Sequence, residues 1–283
     1  MRFINPKTDY AFKKIFGSEQ SHDILISFLN AILYDGNDVI KDLEIRPYLA
    51  PKIRGIKATC LQVEARLENH TTIIIKTQVL NIEGFEKDFF YNIAKTYSTQ
   101  VEVGQDYTLL DRVIALTITD FEMFPEMNQL ISRFILKEKD FLIDYPIYDI
   151  ELVFVELPKF HKEVNNLETL ADKWLYFLKR ARQLDVVPES MNLVPEIKKA
   201  FEVANEVNLT PEQIEDMEMQ EMFIHDQRNT IKKALNQGRQ EGLEEGKVAA
   251  RIEMARKLLD VIDDEAISQA SGLSLQEIAQ LRA

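Results

Sequence analysis

A nearly uninterrupted apolar run at residues 112–119 (RVIALTIT) constrains the fold more than any other part of this sequence. Its β-branched residues favour a strand. A strand with one face in water would alternate apolar and polar residues, whereas this run is apolar at consecutive positions. We therefore predict a strand that is covered on both faces, in an α/β protein with helices on the two sides of a sheet.

Two segments that alternate polar and apolar residues predict a β-hairpin. They cover residues 60–67 and 71–79, and three polar residues join them. Because strand side chains alternate between faces, every second residue lies on the same face. The polar positions that this places together are Gln62, Glu64 and Arg66 on the first strand, and Lys76 and Gln78 on the second. The hairpin is therefore predicted to carry a polar face.

Apolar residues at a spacing of three to four predict helices around these strands. In chain order, the predicted elements are helices at 9–16 and 23–33, a strand at about 43–48, the hairpin, a helix at about 86–103, the strand at 112–119 and a strand at 148–156. After the last strand the chain is predicted to be helical. The order of the core is thus helix, three strands, helix, strand.

A polar helix is predicted near the end of the sequence. Thr210-Pro211-Glu212-Gln213 has the pattern of a capping box with proline at the first helical position, and the helix runs to about residue 260. Glycines recur in it at a spacing of four, which fits either a frayed tail or a small-residue stripe for helix pairing. We divide the chain into a core at 1–160, a helical extension at 161–210 and a polar Gly/Glu-rich helical tail at 211–283 that ends in a short helical hairpin.

Composition excludes several classes of protein. The 283 residues contain one cysteine, Cys60, so no disulfide can form within the chain. No run approaches the ~20 apolar residues of a membrane helix, and the first residues lack the apolar stretch of a secretory signal. We therefore expect a cytoplasmic protein that does not use a membrane as its partner.

The net charge of −13 argues against a protein coated in basic residues, but the charge is unevenly distributed. Residues 41–66 contain six basic and three acidic side chains. This basic ridge, with Lys52, Arg54 and Lys57 as its candidate phosphate contacts, either binds nucleic acid or is a solvated strand edge. Lys13 and Lys14 likewise either contact phosphate or are solvated residues beside buried aromatic side chains.

A set of motifs resembles the Rpn family of recombination-promoting nucleases and transposases. The segments that carry the resemblance are DYAFKKIFG (9–17), FLNAIL (28–33), YNIAKTY (91–97), Gln100, Gly104 and Tyr107, together with the glycine- and glutamate-rich tail. The resemblance implies a restriction-endonuclease-like PD-(D/E)XK core with a helical C-terminal extension. It also implies Mg²⁺-dependent cleavage of DNA, in support of recombination or transposition.

The resemblance places the catalytic motif on the hairpin, where this sequence is substituted. The acid of the first strand falls on Gln62, the acid of the second strand falls on Lys76, and Gln78 keeps the polar residue two positions later. At the start of the following helix, where the family usually has a basic residue, this sequence has Asp88. The two acids that would bind Mg²⁺ are thus replaced by an amide and an amine, which predicts an impaired metal site.

Glu64 offers a displaced alternative, since it shares a face with Gln62. With Asp9 it could supply acids for a shifted metal site, or it could pair with Lys76 or Arg66 across the hairpin. Two functions therefore stay open: a DNA endonuclease that acts through the acids that remain, and an inactive relative that binds DNA or another subunit, including a copy of this chain.

Overall fold

The computed structural model describes residues 2–47, 62–102 and 104–282. The helices within these ranges are α1 (Asp9–Phe16), α2 (His22–Leu33), α3 (Phe85–Ser98), α4 (Leu170–Arg180), α5 (Glu189–Asn192), α6 (Pro195–Val203), α7 (Pro211–Leu258), α8 (Asp264–Ser271) and α9 (Leu275–Arg282). The strands are β1 (Leu43–Pro47), β2 (Gln62–Leu67), β3 (Thr72–Gln78), β4 (Val113–Thr119), β5 (Ile131–Phe134) and β6 (Ile150–Glu156).

The strands form one mixed sheet in the order β1-β2-β3-β4-β6-β5. β1, β2 and β3 pair antiparallel, β4 pairs parallel with β3 and with β6, and β5 pairs antiparallel with β6. Every residue of β4 is buried, as the apolar run predicts. The predicted order of helix, three strands, helix and strand is confirmed, whereas β5, a four-residue strand beside β6, was not predicted.

The two faces of the sheet bury different sets of apolar residues. Val63 and Ile75 belong to the larger core, which also contains buried residues of α1 and α2. Ile74 faces the other way and packs with Phe89 of α3. The face that α3 covers is called the α3 face below. Period-two alternation therefore places the polar positions of β2 and β3 on the α3 face.

The helices after β6 extend the larger core. Thr169 and Asp172 form a capping box that starts α4, and Trp174 of α4 is fully buried with its ring 5.8 Å from that of Phe28. The described chain divides into two compact units, 1–224 and 225–283, with the boundary inside α7. Met217, beyond the predicted boundary at 210, is buried in the larger core.

The second unit has a small core of its own. Ala255 at the end of α7 packs with apolar residues of α8, α9 and the turn between them. Gly272 makes that turn with a φ of +71°, a conformation that costs glycine little. At Gly238, Gly242 and Gly246, no described atom outside the neighbouring residues and the backbone of α7 lies within 4 Å of the position a Cβ would take. A helix-pairing role for these glycines therefore stays a prediction.

Within the described ranges, no helix combines the length and the apolar character that crossing a membrane requires.

Candidate functional site

The hairpin brings the predicted motif positions together. In the antiparallel register of β2 and β3, Gln62 lies opposite Lys76, and Gln78 ends β3 on the same face as Lys76. The Gln78 side-chain amide donates to the carbonyl oxygen of Leu80 at 2.7 Å. This register is compatible with the motif that the resemblance implies, and the assignment of Lys76 to the position of the second acid stays a prediction.

Lys76 is buried with 1% of its surface exposed. Its Nζ donates to Oδ2 of Asp88 at 2.8 Å and lies 5.1 Å from the centre of the Phe85 ring. A buried ammonium is costly unless it is paired, so the Asp88 carboxylate and the ring face stabilise it there. The alternative pairing of Lys76 with Glu64 is wrong, because Glu64 lies opposite a different residue of β3 and Lys76 is paired with α3.

The start of α3 positions both partners of Lys76. Gly84 precedes the helix in the left-handed conformation with φ of +85°, and the Asp88 backbone N–H donates to the Gly84 carbonyl oxygen at 2.9 Å. Phe85 and Asp88 are three residues apart and therefore share a side of the helix. The second Asp88 oxygen accepts a longer hydrogen bond, 3.3 Å, from the amide of Asn92.

Glu64 lies on the α3 face between two arginines. It is opposite Arg46 in the register of β1 and β2. Burial raises the pKa of its carboxyl group, while Arg46 and Arg66 act in the opposite direction. Asp9 belongs to α1, whose buried side packs in the core on the other face of the sheet. Glu64 and the buried side of α1 thus lie on opposite faces of the sheet, and a metal site shared by Glu64 and Asp9 stays a prediction.

The predicted phosphate contacts fall in two places. Lys13 is exposed, and Nζ of Lys14 lies 5.9 Å from the centre of the Tyr10 ring. Burial lowers the pKa of Lys14. Lys52, Arg54 and Lys57 lie outside the described residues, so their role stays a prediction.

The groups at the motif positions do not suit Mg²⁺. This ion prefers several oxygen ligands, among which carboxylates supply the negative charge. Lys76 contributes a positive charge, and the Asp88 carboxylate is bound to it. Among the residues that the structure describes, no group of three or more His, Cys, Asp or Glu side chains could hold a metal ion.

Tyr97 in the last turn of α3 and Gln100, just after the helix, have structural roles that sequence reasoning did not identify. The Gln100 side chain donates to the carbonyl oxygen of Asp111 at 3.0 Å and accepts from its N–H at 2.6 Å, which holds the segment entering β4. The Tyr97 hydroxyl donates to Asp149 at 2.6 Å, just before β6. Burial and this carboxylate raise the pKa of Tyr97 to about 12. These residues connect α3 to the sheet.

A buried ion pair beyond the hairpin was also missed. Glu156 is fully buried, its Oε2 lies 2.6 Å from Nζ of Lys159, and its Oε1 accepts from the N–H groups of Met123 and Phe124. The pair fastens the loop after β4 to the end of β6. The sequence signal for this pair is an acid followed three residues later by a lysine, but the same spacing also occurs on solvated surfaces and therefore does not identify a buried pair.

The sheet order, the flanking helices and the motif positions on the hairpin define a PD-(D/E)XK nuclease-like α/β fold. The sequence model of the PD-(D/E)XK nuclease family transposases matches residues 6–234, and the chain belongs to this family. The family implies DNA as substrate, and its nucleases generally use divalent metal ions. A search of curated proteins and a search of solved structures each gave no match.

Proposed function

We propose that this chain is an Rpn-type member of the family that binds DNA on the nuclease fold without Mg²⁺-dependent cleavage. The observation that carries the proposal is the ion pair between buried Lys76 and Asp88, 2.8 Å apart, at the motif position. An ammonium at this position repels a divalent cation and takes up the nearest carboxylate. The protein would then keep the fold and its DNA-binding surface while lacking the metal.

The pair has the charges of the motif exchanged between strand and helix. The pattern that the sequence resembles has an acid on the strand and a basic residue at the start of the following helix. Here the strand carries Lys76 and the helix carries Asp88. The exchange keeps one positive and one negative group in contact, so it preserves the packing while removing a metal ligand.

The alternative of an active endonuclease requires acids elsewhere. Glu64 and Asp9 are the candidates; Glu64 lies on the α3 face, whereas Asp9 belongs to a helix whose buried side packs in the core on the other face. This separation favours the non-cleaving reading over a displaced metal site.

A plasmid-nicking assay with Mg²⁺ and with Mn²⁺, run beside a DNA-binding assay, tests the proposal. We expect binding without nicking for the natural chain. Gln62→Asp with Lys76→Glu restores two acids, and adding Asp88→Lys also restores the opposite charge on α3. We expect the triple variant to gain metal binding, and nicking where the rest of the site is intact, while each acid alone gives little. Robust nicking by the natural chain that is lost with Glu64→Ala or Asp9→Ala would refute the proposal.

DNA binding is expected to be weak, tolerant of sequence and strongly dependent on salt. Phosphate contacts release counterions, so affinity falls as salt rises, in proportion to the number of contacts. Charge reversal at the three ridge residues Lys52, Arg54 and Lys57 should weaken binding and reduce its salt dependence. The matched control is charge reversal at Lys232, Lys233 and Arg239 of α7. Binding that responds equally to both sets would exclude the ridge as the DNA surface.

A second candidate function, contact with another subunit, is favoured by an exposed apolar tip. Phe141, Leu142 and Ile143 are 81%, 65% and 66% exposed, and Leu142 has a φ of +56°. The Glu138 carboxylate accepts from the N–H of Phe141 at 2.5 Å, which holds the tip in place. An exposed apolar patch held in a strained conformation is typical of a contact surface.

Light scattering over a concentration series tests whether this contact joins two copies of the chain. Phe141→Ser should lower the mass at high concentration, whereas the control Leu193→Ser, at another exposed leucine, should not. A natural chain that stays monomeric throughout would exclude self-association.

A further inference from the structure

A cavity of about 540 Å³ lies on the α3 face, beside the end of the hairpin that is remote from Lys76. The strands contribute its floor, the C-terminal half of α3 contributes one wall, and residues before β4 close the rim. The lining consists mainly of polar side chains, among them Arg46, Glu64, Arg66, Thr72, Lys95 and Thr96. Cavities of this size accept small molecules.

Three cations reach the cavity from different elements. Arg46 on β1 is held by Glu44 at 2.7 Å, and Arg66 on β2 is held by Asp111 at 3.2 Å. A guanidinium has five N–H donors, so one carboxylate leaves donors available for a ligand. Lys95 on α3 has no acidic partner among the described residues. Arginines that are fixed by a neighbouring acid bind phosphate with little loss of side-chain freedom.

Glu64 adds a hydrogen-bond-accepting carboxyl group to the cavity, beside its three cations. The side chain is half-buried, and it has no hydrogen bond or ion pair within the part of the chain that the structure describes. A half-buried carboxyl group without a hydrogen-bond donor has free acceptor capacity, which a ligand hydroxyl or amino group would use. The hydroxyl groups of Thr72 and Thr96 add neutral donors and acceptors to the same lining.

We propose that this cavity binds a nucleoside 5′-phosphate, with the phosphate held by Arg46, Arg66 and Lys95 and a sugar or base donor group held by Glu64. A simple anion would use the cations and leave Glu64 unpaired beside it, whereas a nucleoside phosphate satisfies both. The mostly polar lining suits a sugar phosphate better than an apolar molecule. The source is a free nucleotide or the phosphorylated end of a DNA strand, because both present this group.

The end of the cavity at Thr72 is separate from Lys76, whereas Glu64 lies two residues from Gln62 on β2. Thr72 and Lys76 are four residues apart on β3, which is about 13 Å along a strand. Binding in the cavity needs neither a metal ion nor the groups around Lys76, but Arg46 and Arg66 belong to the basic ridge at 41–66, so the proposal bears on the DNA-binding surface proposed above. Lys95 lies outside that ridge, so Lys95→Ala tests the cavity separately from the charge reversals at Lys52, Arg54 and Lys57.

Calorimetric titration of the full chain with deoxyadenosine 5′-monophosphate, deoxyadenosine and inorganic phosphate tests the proposal. We expect the monophosphate to bind at least about tenfold more tightly than either fragment, since each fragment leaves one set of groups unpaired. Lys95→Ala should weaken binding of the monophosphate about tenfold through loss of one charged contact. The matched control is Lys87→Ala, an exposed lysine on the same helix, which should change nothing.

Glu64→Gln separates the two chemistries. It should weaken binding of the monophosphate, while the affinity for inorganic phosphate stays the same or increases. Thermal melts of each variant show whether it is folded, and only folded variants are compared. Three results would each overturn the proposal. The folded natural chain fails to bind the monophosphate, its binding is unchanged by Lys95→Ala and Glu64→Gln, or inorganic phosphate binds as tightly as the nucleotide.

A short single strand with and without a 5′-phosphate identifies the source. If only the phosphorylated strand competes with the monophosphate, the cavity binds DNA ends. If neither strand competes, the cavity binds free nucleotides.

Discussion

The ion pair between Lys76 and Asp88 makes a quantitative prediction about stability. Lys76 is 1% exposed, whereas the Asp88 side chain is 59% exposed. Removing one partner of a fully buried pair costs about 3–5 kcal/mol, because the other charge is left without compensation. Since Asp88 is partly screened by water, we expect Asp88→Ala to cost about 2 kcal/mol. Lys76→Glu should cost about 4 kcal/mol or more, because it buries a carboxylate beside Asp88.

The exchanged variant, Lys76→Glu with Asp88→Lys, should recover about 2 kcal/mol relative to the sum of the two single changes. The opposite charges meet again, and the combined length of the two side chains changes by only one methylene group. Urea unfolding followed by fluorescence measures this, since Trp174 is the only tryptophan and is fully buried in the same compact unit.

The control for the helix dipole is Glu86→Ala, which removes another acid from the first turn of α3 and should cost at most about 0.5 kcal/mol. An exchanged variant no more stable than the sum of the single losses predicts would refute the reasoning. A cost for Asp88→Ala equal to that of Glu86→Ala would show that Asp88 acts on the helix and not on Lys76.

Three further predictions concern the framework of the fold. The pKa of Tyr97 is raised from 10.0 to about 12, so its contribution to stability is complete below pH 10 and is lost as the pH rises toward 12. After screening at this partly exposed residue the loss is about 1 kcal/mol, and unfolding of Tyr97→Phe should lack this alkaline step. A chain ending at residue 224 should unfold cooperatively. A chain ending at residue 211 loses buried Met217, so its free energy of unfolding should be lower by about 2 kcal/mol or more. Equal melting temperatures of the two chains would contradict this. Gln100→Ala removes both hydrogen bonds to the backbone of Asp111 and should cost about 2 kcal/mol in urea unfolding, with an unchanged stability as the contrary result.

The order of elements along the chain could be predicted from the sequence because periodicity is a local property. The apolar run of β4 required burial on both faces, and the alternation in β2 and β3 placed the polar positions on one face before any contact was known. β5 has only four residues at the margin of the sheet, too few for alternation to be distinctive, and its position beside β6 depends on pairing between distant segments.

The sequence by itself determined the family and the order of the core, and it predicted that the two motif acids are replaced at Gln62 and Lys76. Only the tertiary structure decided which acid Lys76 meets. Spacing on the hairpin predicted Glu64 as one possible partner of Lys76. The register instead places Glu64 opposite another residue, and the turn at Gly84 places Asp88 beside the buried amine of Lys76. Ion pairs between elements depend on how a helix packs on a sheet, and that packing is set by the whole core and not by local spacing. The same packing gathered Arg46, Glu64, Arg66 and Lys95 around one cavity, although they lie on three elements as far apart in sequence as β1 and α3.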